Sequence, residues 1–174
     1  GGASRVYATA HSNGGISAHR LAAERSGSIA AIAPVAGALD LKSFAPTRPM
    51  PVLHIHSVDD PRALYNGGLG PPFPGTNSRV MHQPVKTSLD RWIAANGCTA
   101  EPDSAHATWT PTGAPRRERA ILVGWSRCRD GVEVQHFRLE GSGHGWPGKT
   151  PTPVGEGLIG PQATLISAAE EVWK

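Results

Sequence analysis

Arg5-Val6-Tyr7-Ala8-Thr9-Ala10-His11-Ser12-Asn13-Gly14-Gly15-Ile16 is the stretch that decides the fold. A β-leaning run through Val6, Tyr7 and Thr9 stops at Ser12, and a helix-leaning, small-residue run through Gly14, Ile16, Ala18, Leu21 and Ala22 takes over. The pattern predicts strand, sharp turn, helix. A serine on such a turn is lifted clear of both elements, with Oγ above the sheet edge and the following amides fanned toward whatever it attacks. Strand and helix approach closely there, so the residues two before and two after the serine must be small, as Ala10 and Gly14 are. The pattern Ala10-x-Ser12-x-Gly14 departs from the usual G-x-S-x-G at its first position. A serine capping an ordinary βα turn is the competing reading.

Composition narrows the function classes. The chain of 174 residues fits one domain, residues 1–174, large enough to bury a core. With 21 Gly, 16 Pro and only 18% charged residues it reads as a loop-rich globular protein. No apolar run approaches the roughly 20 residues of a membrane span, and no signal peptide is visible. The net charge of +3 owes much to arginine, including Arg116, Arg117 and Arg119. Without interleaved aromatics or a recognisable module, that cluster reads as a solvated loop and no nucleic-acid partner is expected. Cys98 and Cys128 lie outside any C-x-x-C spacing, which argues against zinc and redox chemistry. One bridge between a helix end and a strand end, which suits an exported protein, and two unpaired buried thiols both stay open at this point.

Outward from the serine turn, the apolar run Ile29 to Gly37 reads as a parallel strand buried on both faces. Val52-Leu53-His54-Ile55-His56 reads as another, with Ser57-Val58-Asp59-Asp60-Pro61 as its polar exit. Arg62 to Pro84 shows almost no periodicity and is long for a connection, as functional loops are. Val85, Leu89, Trp92 and Ile93 recur at helical spacing up to the stop Asn96-Gly97. Residues 99–117 read as loop. Ala120–Trp125 and Val132–Leu139 read as strands around the turn Arg129-Asp130-Gly131, and the glycine-rich loop Glu140–Gly148 presents His144. Ser167-Ala168-Ala169-Glu170 is a capping box that opens a helix with Val172 and Trp173 on its apolar face. A serine-bearing strand directly behind Gly1-Gly2-Ala3-Ser4, and a final helix barely begun at Lys174, lead to the expectation that both ends are cut. The fold class expected is α/β, a mostly parallel sheet flanked by helices.

Ser12, Asp60 and His144 each follow an expected strand, in the order nucleophile, acid, base. Parallel strands deliver their C-terminal ends to one edge of the sheet, so the three can meet there. A serine hydroxyl attacks only when an imidazole takes its proton. The imidazole in turn needs a carboxylate to fix its tautomer and stabilise its positive charge. The amide of Asn13 is a candidate oxyanion-hole donor; the second donor normally comes from an earlier strand, which this chain lacks.

Thr9–Gly15, His54–Pro61 and Gly141–Gly148 together resemble the polyhydroxybutyrate depolymerase and feruloyl esterase-like group of secreted α/β-hydrolases. The resemblance implies an α/β-hydrolase domain represented by its C-terminal part. Matched position by position, it implies Ser12, Asp60 and His144 as the triad, Cys98 paired with Cys128, secretion and no cofactor. The implied activity is hydrolysis of carboxylic esters, feruloyl, acetyl or short-chain hydroxyalkanoate, as small molecules, polyesters or plant cell-wall polysaccharide esters. Three positions depart from the group's pattern: Ala10, Ser57 and Ser142 each stand where it has glycine.

Several residues carry rival readings. Asp59 competes with Asp60, whose spacing from His56 favours it. His54, His56 and Asp59 form a conceivable metal set that lacks a further ligand at recognisable spacing, so strand histidines satisfied in the core are the expectation and no metal is assigned. His11 and Trp146 are substrate-pocket candidates, each with a packing role as the alternative, and the five tryptophans are read mostly as core. A serine peptidase or acyltransferase on the same fold, and a non-catalytic fragment, are the alternatives to an esterase.

Overall fold

The computed structural model describes residues 6–110, 112–114, 116–150 and 153–174. The reading of Gly1-Gly2-Ala3-Ser4 and of Arg5 lies outside them. Within them the order is β1 (Tyr7–His11), α1 (Asn13–Glu24), β2 (Ala31–Val35), β3 (Val52–Ser57), β4 (Gly68–Leu69), β5 (Met81–His82), α2 (Val85–Asn96), β6 (Ser104–Trp109), β7 (Arg119–Trp125), β8 (Val134–Glu140), α3 (Pro153–Ile159) and α4 (Ala168–Glu171). Six strands form one sheet in the order β1-β2-β3-β8-β7-β6. The pairs β1·β2, β2·β3 and β3·β8 are parallel, and β8·β7 and β7·β6 are antiparallel. This is a mixed α/β architecture whose central sheet is mostly parallel.

Both long helices pack where their periodicity demands. Gly15, Ala18, His19, Ala22 and Ala23 are the buried stripe of α1, at i, i+3, i+4, i+7 and i+8. Trp92 and Ile93 lead that of α2, which stops at Gly97 in the left-handed conformation (φ 63°). Ala22, Ile32, Met50, Val52, Trp92 and Val134 are joined in one core cluster. Val35, Ile55, Phe137 and Leu139 lie in a second, with Ala163 and Ala168 among its members.

Four readings are corrected. The stretch read as loop contains β6, all six of whose residues are exposed, so it lacks the in-out alternation that marks a half-buried strand. Residues 62–84 hold the short ladder β4·β5, whose two-residue strands are too brief for any period. Trp173 is 78% exposed, contrary to its expected place on an apolar helix face, and its ring edge meets Tyr7. Trp109 is also exposed, stacked under the Arg119 guanidinium, so Trp92 and Trp125 are the buried tryptophans. Of the expected capping box, the Ser167 hydroxyl accepts the Glu170 N–H.

Cys98, just past the cap of α2, is bonded to Cys128, just past β7. The bridge closes a loop spanning 30 residues, and chain entropy assigns such a loop about 3–4 kcal/mol. Reduction, or Cys98→Ser with Cys128→Ser, is therefore expected to lower Tm by several degrees in a thermal melt. An unchanged Tm contradicts this.

Imidazoles occupy the space beneath the site. His19, His54, His56 and His136 are all buried, and the Trp92 Nε1–H donates to His19 Nδ1 at 2.9 Å. Burial pushes His19 down to about 3 and His136 to about 4, and drives His54 well below the usual range, helped by the neighbouring imidazoles. These three are neutral in the fold and gain a proton when unfolded below about pH 6.5. Their contribution is complete above that pH and is lost as pH falls through it toward the folded values, at about 2 kcal/mol each for His19 and His136 at pH 5. Thermal unfolding is thus expected several degrees lower at pH 5 than at pH 7; equal Tm values contradict the assignment.

Candidate active site

Ser12 follows β1 and caps α1, with φ 58° and ψ −122°, a left-handed conformation that costs a non-glycine residue about 1–3 kcal/mol and persists only where the surroundings hold it. Its N–H donates to the Val35 carbonyl at 2.8 Å and its carbonyl accepts the Ile16 N–H at 3.2 Å. Glycines make the approach possible. A Cβ on Gly14 would stand 2.7 Å from the Cβ of Ala10, one on Gly15 would stand 2.9 Å from the Val35 carbonyl oxygen, and one on Gly37 would overlap the Ser12 carbonyl oxygen. Gly37 was not singled out in the sequence; the signal was a small-residue exit, Ala36-Gly37, behind the neighbouring parallel strand.

The strand ends bring Ser12, Asp60 and His144 together. The Ser12 hydroxyl lies 2.9 Å from His144 Nε2, and His144 Nδ1 lies 2.7 Å from Asp60 Oδ2. Asp60 is ionised, so the shared proton sits on Nδ1 and leaves Nε2 as the acceptor for the hydroxyl. Asp60 Oδ1 accepts the N–H groups of Arg62 and Ala63, both at 2.8 Å. Burial opposes the charge on Asp60, but hydrogen bonds from His144 and His56 outweigh it and hold the carboxyl well below the usual carboxylate range. Asp59 turns away, accepting the Gly141 N–H at 2.7 Å. Of the conceivable metal set, His54 and His56 are bonded to one another in the core and Asp59 is engaged elsewhere.

The histidine loop is fixed from several sides. The Gly143 and His144 N–H groups donate to the carbonyls of Pro161 and Ile159, both at 2.6 Å, and a Cβ on Gly143 would overlap the Ile159 carbonyl oxygen. His11 Nε2 reaches the His144 carbonyl, so His11 braces the loop. Ser57 and Ser142, two of the three departures from the glycine pattern, touch one another: the Ser57 hydroxyl donates to the Ser142 carbonyl and ties the acid loop to the histidine loop.

One cavity is lined by the serine and another by its neighbour His11. The first, of about 60 Å³, is lined by Ser12, Asn13, Arg62, Phe73, His82 and His144. It uses the 62–84 segment as its wall, with the Arg62 guanidinium over the Phe73 ring. The other, about 530 Å³, is lined by both pocket candidates, His11 and Trp146, with Lys149, Glu156 and Gln162. Asn13, the oxyanion candidate, opens α1, where the first backbone N–H groups lack helical partners.

No family model matches the chain. It is 29% identical over 143 residues to a bifunctional acetylxylan esterase/xylanase of Neocallimastix patriciarum, covering 80% of this chain and 18% of that protein. It is 30% identical over 145 residues to feruloyl esterase B of Piromyces equi, covering 80% and 25%. A third relative, NocK of Nocardia uniformis subsp. tsuyamanensis, is named as a presumed esterase and is 31% identical over 178 residues, covering 95% and 48%. The chain thus spans less than half the length of each relative. Among the described residues no helix is long and apolar enough to cross a membrane. The chain is a distant homologue of proteins named as esterases.

Proposed function

We propose that the chain carries the nucleophile, acid and base of a serine α/β-hydrolase that cleaves carboxylic esters through an acyl-enzyme. The observation that carries the reading is the run of contacts Ser12 Oγ to His144 Nε2 at 2.9 Å and His144 Nδ1 to Asp60 Oδ2 at 2.7 Å. His144 takes the hydroxyl proton as Ser12 attacks the ester carbonyl. Asp60 stabilises the imidazolium, the Asn13 N–H donates to the developing oxyanion, and His144 returns the proton to the departing alkoxide. Water then repeats the sequence on the acyl-serine.

The strained serine, the parallel run β1-β2-β3-β8 and the esterase names of the relatives support this reading, as does the resemblance to polyhydroxybutyrate depolymerases and feruloyl esterase-like enzymes. The cavity of about 60 Å³ beside Ser12 has room for an acetyl or another short acyl group. The bridged cysteines fit an exported enzyme. The test is a fluorophosphonate, which phosphonylates a serine only when its proton is being removed. The reading predicts labelling of the wild-type chain at Ser12 and none of Ser12→Ala; an unlabelled wild type overturns it.

A further inference from the structure

Asp60 is approached from the core as well as from the cavity. His56, four residues earlier on β3 and 2% exposed, places Nε2 2.8 Å from the Ala63 carbonyl and 3.4 Å from Asp60 Oδ2. Its Nδ1 lies 3.3 Å from Nε2 of the fully buried His54. Neither the Ala63 carbonyl nor the ionised Asp60 can donate, so the proton facing them belongs to His56 Nε2. The singly protonated ring then offers a lone pair at Nδ1, and His54 must supply the proton from its own Nε2.

That leaves His54 Nδ1 as a bare lone pair. It is the one ring nitrogen of the pair with no hydrogen-bond partner. The opposite arrangement would bury an N–H without an acceptor, a costlier defect than an unused lone pair. It would also strip Ala63 and Asp60 of their donor. The rings facing His54 are His19 at 5.4 Å and His136 at 5.5 Å between centroids, and His136 Nδ1 donates to the His54 carbonyl at 2.9 Å.

We propose that His56 is a positioning residue for the Asp60 carboxylate, and that His54 fixes the tautomer in which it acts. Two runs of contacts converge on one carboxylate: the hydrogen bonds Ser12 to His144 to Asp60 from the cavity, and from the core the His54–His56 pair, whose Nε2–H is bonded to the Ala63 carbonyl and lies 3.4 Å from Asp60 Oδ2. His56 also closes a small ring, because it holds the Ala63 carbonyl while Asp60 holds the Ala63 N–H. The carboxylate and the loop behind it are therefore pinned together, with Oδ2 aimed at His144. The consequence for catalysis rests on Ser12 being the nucleophile, as proposed above; the geometry at Asp60 does not.

The experiment has one arm for each part. Long-range ¹H–¹⁵N spectra of the labelled full chain at pH 7.5 are expected to show His54 and His56 protonated on Nε2 and His144 on Nδ1. A proton on His56 Nδ1 overturns the proposal. The low-field His144 Nδ1–H signal should persist in His56→Gln, which keeps an N–H donor at the end of its side chain, and should shift or vanish in His56→Leu.

In the kinetic arm, fluorophosphonate labelling and p-nitrophenyl acetate turnover of folded His56→Leu are expected about ten- to a hundredfold slower, the scale of removing a polar partner from a buried carboxylate and from the loop that holds it. KM should be unchanged and His56→Gln should recover most of the rate. A His56→Leu rate equal to wild type, or equal losses in both variants at equal thermal stability, overturns the proposal. A wild-type chain that reacts with neither probe sinks the esterase reading instead, and the tautomers and the His144 signal then decide the His56 assignment alone.

Discussion

Alanine at position 12 is expected to abolish fluorophosphonate labelling and to lower kcat for p-nitrophenyl acetate by about a million-fold, with the fold intact. The size follows from the loss of the covalent route, since the oxyanion donor and binding contacts that remain account for only the residual rate over water. Stability should hardly change, because the Ser12 hydroxyl contacts His144 at a part-exposed position and the strained backbone beneath it is held by backbone groups and glycines. Steady-state kinetics with a circular dichroism melt checks both halves. Wild-type turnover in this variant would remove Ser12 from the mechanism.

Replacing Asp60 by asparagine is expected to cost about 10⁴ in kcat, and the arrangement around the carboxylate says why. The N–H groups of Arg62 and Ala63 require an acceptor at the Oδ1 position, so the amide oxygen takes that place. The amide NH₂ then faces His144 Nδ1, which must become an acceptor. The ring proton moves to Nε2 and points at the Ser12 hydroxyl, so the base is blocked where it is needed. Asp59→Asn, whose carboxylate meets the Gly141 N–H and not His144, is expected to stay within about a few fold of wild type, since surface polar contacts are worth little. Measuring kcat for both variants separates the two aspartates; a larger loss in Asp59→Asn reverses their roles.

How much of this was legible depended on burial. α1 and α2 announce themselves because their buried residues recur at helical spacing, β3 and β8 because they run through the core, and β1 because its β-prone residues stop at the serine turn. β6 does not, since six exposed residues leave no period to detect. Trp173 misled in the opposite direction: it lies beyond α4, which ends at Glu171, and at 78% exposure no core receives it. The three loops of the candidate site could be placed on one sheet edge from their order after parallel strands. The core-side neighbour of Asp60 could not. His56 and Asp60 are only four residues apart, yet their contact exists because the chain turns between them, and a strand-based reading carries no information about that turn. The Ser57–Ser142 link was hidden similarly, since each serine looked like an isolated departure from glycine until the two loops were seen to meet.

β1 and β2 are paired up to His11 and Val35, and the residue following each, Ser12 and Ala36, has a left-handed backbone, at φ 58° and 51°. The floor beside Ser12 is therefore cut from main chain, while side chains on connecting segments, such as Arg62 and Phe73, wall the cavity next to it. Under the proposed reading, such a division lets substrate preference be redrawn by exchanging wall side chains without resetting the backbone that carries Ser12.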